Sequence, residues 1–227
     1  SASCLPGESG APDCSPAGAR TLPKADPAPV VPAAALRRPA PWRGAGAGRP
    51  QGCGHRDMYE ALNNVAKTYK NARIFSDIGC YTLGALPPFR AIHSCVDMGA
   101  SITMAKGAAD GGLFPAIAVI GDSTFTHSGI TGLLDCVNEN ANVTIVISDN
   151  ETTAMTGGQD SAGTGKIEAI CKGIGVAPEH IRVLIPLKKN MEEMERTIRE
   201  EIEYKGVSVL IPRRECIQTL SRKKRQK

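Results

Sequence analysis

From Asp57 onward the chain alternates short apolar runs with amphipathic stretches, and two of the runs, residues 115–120 and 143–148, are apolar almost throughout. A strand of that kind must be covered on both faces, which antiparallel hairpins with one wet face do not achieve and a helix-covered parallel sheet does. The neighbouring segments fit this pattern. Asp57 can cap a helix running to about residue 70, with Met58, Leu62, Val65 and Ala66 on one face, and residues 72–78 read as a strand. Residues 97–109 predict a helix of small side chains, 126–139 another, and 166–173 a third. Strands are predicted at 181–185 and 207–211, separated by a charged helix ending near Gly206, for which Asn190 and Glu193 form a capping box. The fold class is therefore α/β: a doubly wound, mostly parallel sheet with helices on both faces and right-handed crossovers.

Residues 1–50 differ in texture. They hold ten of the sixteen prolines and carry no sustained period of 2 or 3.6. A segment of that composition buries too little apolar area to offset its ordering entropy, so it reads as disordered low-complexity chain. The Gly/Ala run at 44–48 follows no strand and lacks the spacing of a dinucleotide loop. The organisation predicted is thus a disordered segment over 1–50, one folded domain over 51–217 and a basic tail over 218–227.

Charge and cysteine usage narrow the function classes. The formal charge is +4, with Arg222, Lys223, Lys224, Arg225 and Lys227 crowded at one end and no aromatics between them, which reads as a solvated, frayed terminus and not a nucleic-acid module. Eight cysteines are spread without a C-x-x-C pair, the pattern of reduced cytoplasmic thiols and not of a disulfide framework, a zinc site or an iron–sulfur site. No stretch approaches ~20 consecutive apolar residues, so no membrane span is expected, and no signal-peptide pattern opens the chain. Gly165-Lys166 is not a P-loop, because Ile167 stands where Ser or Thr is required.

In open parallel sheets, ligands bind beyond the carboxyl ends of strands. Two such ends carry oxygen-rich turns: Gly121-Asp122-Ser123, and Asp149-Asn150-Glu151-Thr152. Gly121 to Asn150 is thirty residues inclusive, one strand–helix–strand unit, so neighbouring strands would bring Asp122 and Asn150 side by side. Magnesium takes near-octahedral oxygen ligands, few from protein and the rest from phosphate and water. Asp122 can give a carboxylate oxygen, Asn150 an amide oxygen and a following backbone carbonyl a third. Gly121 admits a phosphate close to the backbone, with Ser123 and nearby amides as donors. Either turn alone is better explained by helix capping or a plain loop; the pair at this spacing points to a bound metal and phosphate.

These turns resemble the thiamine diphosphate fingerprint, an acidic turn and an Asn about thirty residues apart. Longer matches are more specific. Asp77-Ile78-Gly79-Cys80-Tyr81-Thr82-Leu83-Gly84, Met98-Gly99-Ala100-Ser101, residues 121–129 and residues 149–159 are similar to the large subunit of indolepyruvate:ferredoxin oxidoreductase, as are Cys53-Gly54-His55-Arg56 and residues 211–216. The resemblance covers about residues 49–217. It implies a thiamine diphosphate-binding fold in which Asp122 and Asn150 bind magnesium through side chains and Thr152 through its carbonyl. It also implies that Gly121, Ser123 and Thr124 cradle the diphosphate, that Gly79 and Cys80 lie near the cofactor, and that Met98, Gly99 and Ala100 border it. Met155 would stand beside the thiazolium, where an apolar side chain suits an aryl substrate, with Thr156 shaping the same loop; simple packing is the alternative reading of a loop Met. Cys80 would be a wall residue and not a nucleophile; His127, in the first helical turn, reads as a helix-surface or core residue, with a substrate-facing role as the alternative.

The resemblance further implies oxidative decarboxylation of an aryl 2-oxoacid such as indolepyruvate to an acyl-CoA, with coenzyme A and ferredoxin as co-reactants in an oligomeric complex. Two parts of that machinery are not expected in this chain: the pyrimidine-binding domain with its activating glutamate, and the iron–sulfur clusters. Pro50 also replaces the first Cys of the family's Cys-x-x-Cys before His-Arg. A truncated or split subunit is the expectation, dependent on a pyrimidine-binding domain and a smaller oxidoreductase subunit. Two other readings remain open: half of a sulfopyruvate- or phosphonopyruvate-decarboxylase-like enzyme, and a non-catalytic interaction domain.

Overall fold

A computed structural model describes residues 52–153 and 158–225; the expectation for 1–50 falls outside these residues. Six parallel strands form the main sheet: β1 Arg73–Ser76, β2 Ser94–Cys95, β3 Ala116–Gly121, β4 Val143–Ser148, β7 Ile181–Leu184 and β8 Val207–Pro212, in the order β2-β1-β3-β4-β8-β7. A two-stranded antiparallel ribbon, β5 Thr152–Thr153 and β6 Gln159–Asp160, stands apart from it.

The apolar runs occupy the centre of the sheet, where β3, β4 and β8 are buried at every position. Alternate side chains serve opposite faces. Ile117, Val119, Val146 and Leu210 join α1 (Gly54–Ala66) and α6 (Met191–Glu203) in one core, with Leu62, Val65 and Ile198. Ala118, Ile120, Ile145, Ile147, Val209 and Ile211 join α2 (Ala100–Asp110), α4 (Ile130–Asn138) and α5 (Ile167–Ile174) in the other, with Ile102, Leu133 and Cys171. Each such buried aliphatic contributes about 1.5–3 kcal/mol of transfer free energy. The α/β, doubly wound parallel class read from the sequence is the observed one. Thr144 and Ser208 break the apolar pattern inside the sheet without an unpaired cost, because both hydroxyls donate to the Glu201 carbonyl of α6, at 3.2 and 2.9 Å.

Several local expectations differ from the structure. Asp57 does not cap α1, which starts at Gly54; the Asp57 carboxylate instead faces Arg214 at 3.2 Å. Asn190 makes no capping bond. A 3₁₀ turn over Lys188–Asn190 feeds the chain straight into α6, and the Asn190 amide donates to the Ile185 carbonyl. The helix expected at 126–139 begins earlier, as a short α-turn α3 (Asp122–Thr124) and a π turn (Phe125–Gly129) leading into α4. Gly129 sits in that π turn so close to Ile120 and Phe125 that a Cβ would lie 2.8 Å from the Ile120 side chain. The basic stretch is helical rather than frayed: α7 spans Ile217–Arg225, built from good helix formers and tied by a 2.7 Å Lys223–Glu215 ion pair.

Gly175 ends α5 at φ +113°, and its backbone N–H returns to the last turn of the helix. Only glycine adopts that conformation cheaply. Gly175→Ala is expected to cost about 1–2 kcal/mol in urea denaturation, since strain outweighs the entropy gained in the unfolded chain.

Candidate cofactor and metal site

The order of the sheet creates the site. The chain passes from β1 outward to β2 and then returns across β1 to β3, so the carboxyl ends of β1 and β3 flank a topological switch point. The β3–β4 register ends with Gly121 opposite Ser148, and both turns therefore leave the sheet together. A cavity of about 230 Å³ opens there. Its wall is formed by residues 78–81 after β1, Met98, residues 121–124 at the end of β3 and beyond, and Ser148, Asn150, Thr152 and Thr153 at the end of β4 and beyond.

Of the residues expected at a site, Gly79, Cys80, Met98, Gly121, Asp122, Ser123, Thr124, Asn150 and Thr152 share this one wall. Gly99 and Ala100 do not line it; Gly99 lies behind, its N–H donating to Asp77 Oδ2 at 3.0 Å. His127 is exposed and off the wall. Met155 and Thr156 fall outside the described residues.

Asp122 is 3% exposed, and its Oδ2 is a buried oxygen with no hydrogen-bond partner. Burial pushes its pKa up to about 6, against the lowering effect of the Ser123 amide and the Ser161 hydroxyl, while the nearby Asp149 charge adds to the rise. A buried carboxylate oxygen without a partner is costly and calls for a cation. Asn150 is 8% exposed, and its Oδ1 accepts the Thr152 N–H at 3.2 Å, leaving a lone pair on the amide oxygen. Among the described residues no group of three or more His, Cys, Asp and Glu side chains gathers to hold a metal. One carboxylate, one amide and backbone oxygens do not make a zinc site. They do suit a hard cation that takes its remaining ligands from phosphate and water, so the residues present fit magnesium diphosphate.

The two turns are tied together. Ser123 Oγ and Thr153 Oγ1 are 2.8 Å apart, Thr152 Oγ1 donates to the Gln159 carbonyl, and Thr124 Oγ1 reaches the Ile78 carbonyl at 3.3 Å. Glu151 takes φ +60°, unusual for a non-glycine residue, with its N–H on Asp149 Oδ1.

Three residues to which sequence reading gave no role shape the cavity. The Tyr81 ring packs where side chains at Gly79 and Gly121 would go, since a Cβ at either would lie 2.2 or 2.4 Å from it. Both glycines are thus required by Tyr81, a reason different from the phosphate approach inferred for Gly121. Asp77, fully buried, accepts hydrogen bonds from the Tyr81 hydroxyl, the Gly99 N–H and the Ser101 hydroxyl (2.7 Å). It therefore joins the end of β1 to the start of α2, and burial holds its pKa above the usual carboxylate value. His55 lies on the wall beside Cys53, whose Sγ is 3.4 Å from Nδ1. Its position follows from the packing of α1 over the sheet, which the local Cys-Gly-His pattern does not display.

A parallel sheet with this switch point, a buried Asp with one unpartnered oxygen after one strand and an Asn after the next defines a thiamine diphosphate-type binding domain. The chain belongs to that family: the profile described as thiamine pyrophosphate enzyme, C-terminal TPP binding domain, matches residues 77–211. More narrowly, it is 38% identical over 186 residues to indolepyruvate oxidoreductase subunit IorA of Archaeoglobus fulgidus, covering 77% of this chain and 29% of that protein. The same-named subunit of Pyrococcus horikoshii is 36% identical over 188 residues, covering 72% and 28%. This chain therefore spans less than a third of the length of these relatives. Among solved structures it resembles in fold the 2-oxoglutarate:ferredoxin oxidoreductase of Magnetococcus marinus, with a TM-score of 0.60 and 17% identity over 75% of this chain and 64% of that one. It also resembles benzoylformate decarboxylase of Polynucleobacter necessarius, with a TM-score of 0.54 and 17% identity over 69% and 33%.

Proposed function

We propose that this chain holds thiamine diphosphate through a magnesium ion, with Asp122 and Asn150 as side-chain ligands and the Thr152 carbonyl as a third. It would do so as part of a 2-oxoacid:ferredoxin oxidoreductase. The observation that carries this reading is the unpartnered Asp122 Oδ2 on the wall that Asn150 shares. Ser123 and Thr124 stand beside them as hydroxyl donors for the diphosphate, and the Tyr81 ring closes the floor between the two glycines. When bound, thiamine diphosphate supplies a nucleophilic thiazolium carbon and an electron sink for decarboxylation. This chain's part is to anchor and orient, and to keep the anchoring turns dry.

The substrate inferred is an aryl 2-oxoacid of the indolepyruvate type, converted with coenzyme A and ferredoxin to an acyl-CoA. Two observations support it: the similarity to the IorA subunits, and a cavity mouth at which Ile78 and Met98 stand 47% and 42% exposed. The activating glutamate, the iron–sulfur clusters and the acceptor contacts would come from a pyrimidine-binding domain and a smaller subunit in an oligomer. A cytoplasmic setting goes with this reading. Among the described residues no helix is long and apolar enough to cross a membrane.

The test is thermal unfolding of the full chain with thiamine diphosphate, with and without magnesium. A ligand at 100 times its Kd adds ~2.7 kcal/mol, so a rise of several degrees that requires both components is expected. An unchanged profile with both present would overturn the binding proposal. Release of carbon dioxide by the assembled complex without reduction of an acceptor would instead favour the decarboxylase-like reading.

A further inference from the structure

We propose that Arg213, remote in sequence from the metal-binding turn, is a positioning residue that sets the turn's affinity for magnesium; this rests on the binding reading above. Arg213 follows β8, and its guanidinium spans three side-chain oxygens. Nε donates to Asp149 Oδ2 at 2.6 Å, and Nη1 and Nη2 donate to the two Glu168 oxygens of α5 at 2.8 and 2.7 Å. The Asp149 side chain is fully buried. Its other oxygen accepts the Glu151 N–H at 3.2 Å, so one carboxylate bridges the guanidinium and the turn that carries Asn150.

The backbone repeats the arrangement. The Arg214 N–H donates to the Asp149 carbonyl at 3.0 Å and the Cys216 N–H to the Asn150 carbonyl at 3.2 Å. Asn150 is thereby fixed at its carbonyl from below and at its amide oxygen by the Thr152 N–H. Glu151, at φ +60°, stays in its unusual conformation only while both flanks are held. A planar fork with donors in fixed directions performs this task in full, and a lysine ammonium keeps only the charge beside Asp149 without the fork. Groups that orient a metal ligand without touching the metal typically change affinity 10–100-fold when removed.

The experiment is calorimetric titration of magnesium into the full chain at fixed thiamine diphosphate, well below the melting temperature, for wild type, Arg213→Met, Arg213→Lys and Glu168→Gln. Arg213→Met is expected to weaken magnesium binding 10–100-fold. Arg213→Lys, which keeps the charge beside Asp149, should recover part of that loss, and Glu168→Gln should weaken binding about threefold. Saturating magnesium should restore thiamine diphosphate binding in each variant. A purely structural role predicts lower melting temperatures with wild-type magnesium affinity, and that result overturns the inference. Should Arg213→Met fail to fold, wild-type affinity in both remaining variants overturns it equally. If wild-type chain shows no magnesium-dependent binding, the underlying reading falls and takes this one with it; binding by wild type and Arg213→Met alike removes only the role of Arg213.

Discussion

Asp122→Asn is expected to have opposite effects on stability and binding. In the wild-type chain without metal, burial raises the Asp122 pKa from 3.8 to about 6. Between these values the folded state binds more protons than the unfolded one, so stability falls as pH rises from about 4 to 6. The loss by pH 7 is about 2–3 kcal/mol, since each tenfold difference in proton affinity between the two states corresponds to ~1.4 kcal/mol. The amide carries no such charge. Asp122→Asn without metal should therefore melt higher than wild type at pH 7.5 and lose the Asp122 share of the dependence between pH 4 and 6, so that its thermal scans across that range are flatter than those of wild type. With magnesium and thiamine diphosphate the order reverses. Wild type gains the cation that its carboxylate lacks, and the variant should bind at least ~100-fold more weakly, beyond the usual loss of an outer-shell partner. Magnesium affinity of wild type should also fall below about pH 6, as protons compete for the same oxygen. A site destabilised until its ligand arrives is the usual signature of function set against stability.

The largest loss of stability is expected from Asp77→Ala. That carboxylate takes hydrogen bonds from Tyr81, Gly99 and Ser101, all within one buried cluster. Removing it orphans three donors at once and leaves a void. Each buried neutral donor left without a partner costs about 1–3 kcal/mol, so a total loss of at least about 3 kcal/mol is expected. Relief of the buried carboxylate, whose pKa is already raised, offsets a part of this. Chemical denaturation should show the drop. Because the same cluster holds Gly99, next to Met98 on the wall, and seats the ring that fills the space beside Gly121, thiamine diphosphate binding should weaken as well. A variant as stable as wild type would show that the cluster is held by packing alone.

What was legible in the sequence follows the range of the interactions. Residues 115–120 and 143–148 declare themselves as central strands because an apolar run of that length needs cover on both sides, and their register then delivers Asp122 and Asn150 to the same edge. Asp122 was readable from that edge alone. The tyrosine behind it was not, since nothing local says that the Tyr81 ring will fill the space next to Gly121, forty residues away. The Arg213–Asp149 pair joins residues 64 apart, and its existence depends on β8 lying beside β4. Caps misled for a related reason. Asn190 and Glu193 satisfy a local pattern, but the turn before α6 spends the Asn190 amide on Ile185. The π turn likewise answers to tertiary packing, Gly129 against Ile120, and leaves no local signal.

Manganese in place of magnesium, located by anomalous scattering in crystals grown with thiamine diphosphate, tests the proposed site most directly. The prediction is a single peak within bonding distance of Asp122 Oδ2 and the Asn150 amide oxygen, with diphosphate oxygens completing its shell. A peak away from Asp122 and Asn150, or diphosphate bound with Asp122 Oδ2 still unpartnered, would contradict it.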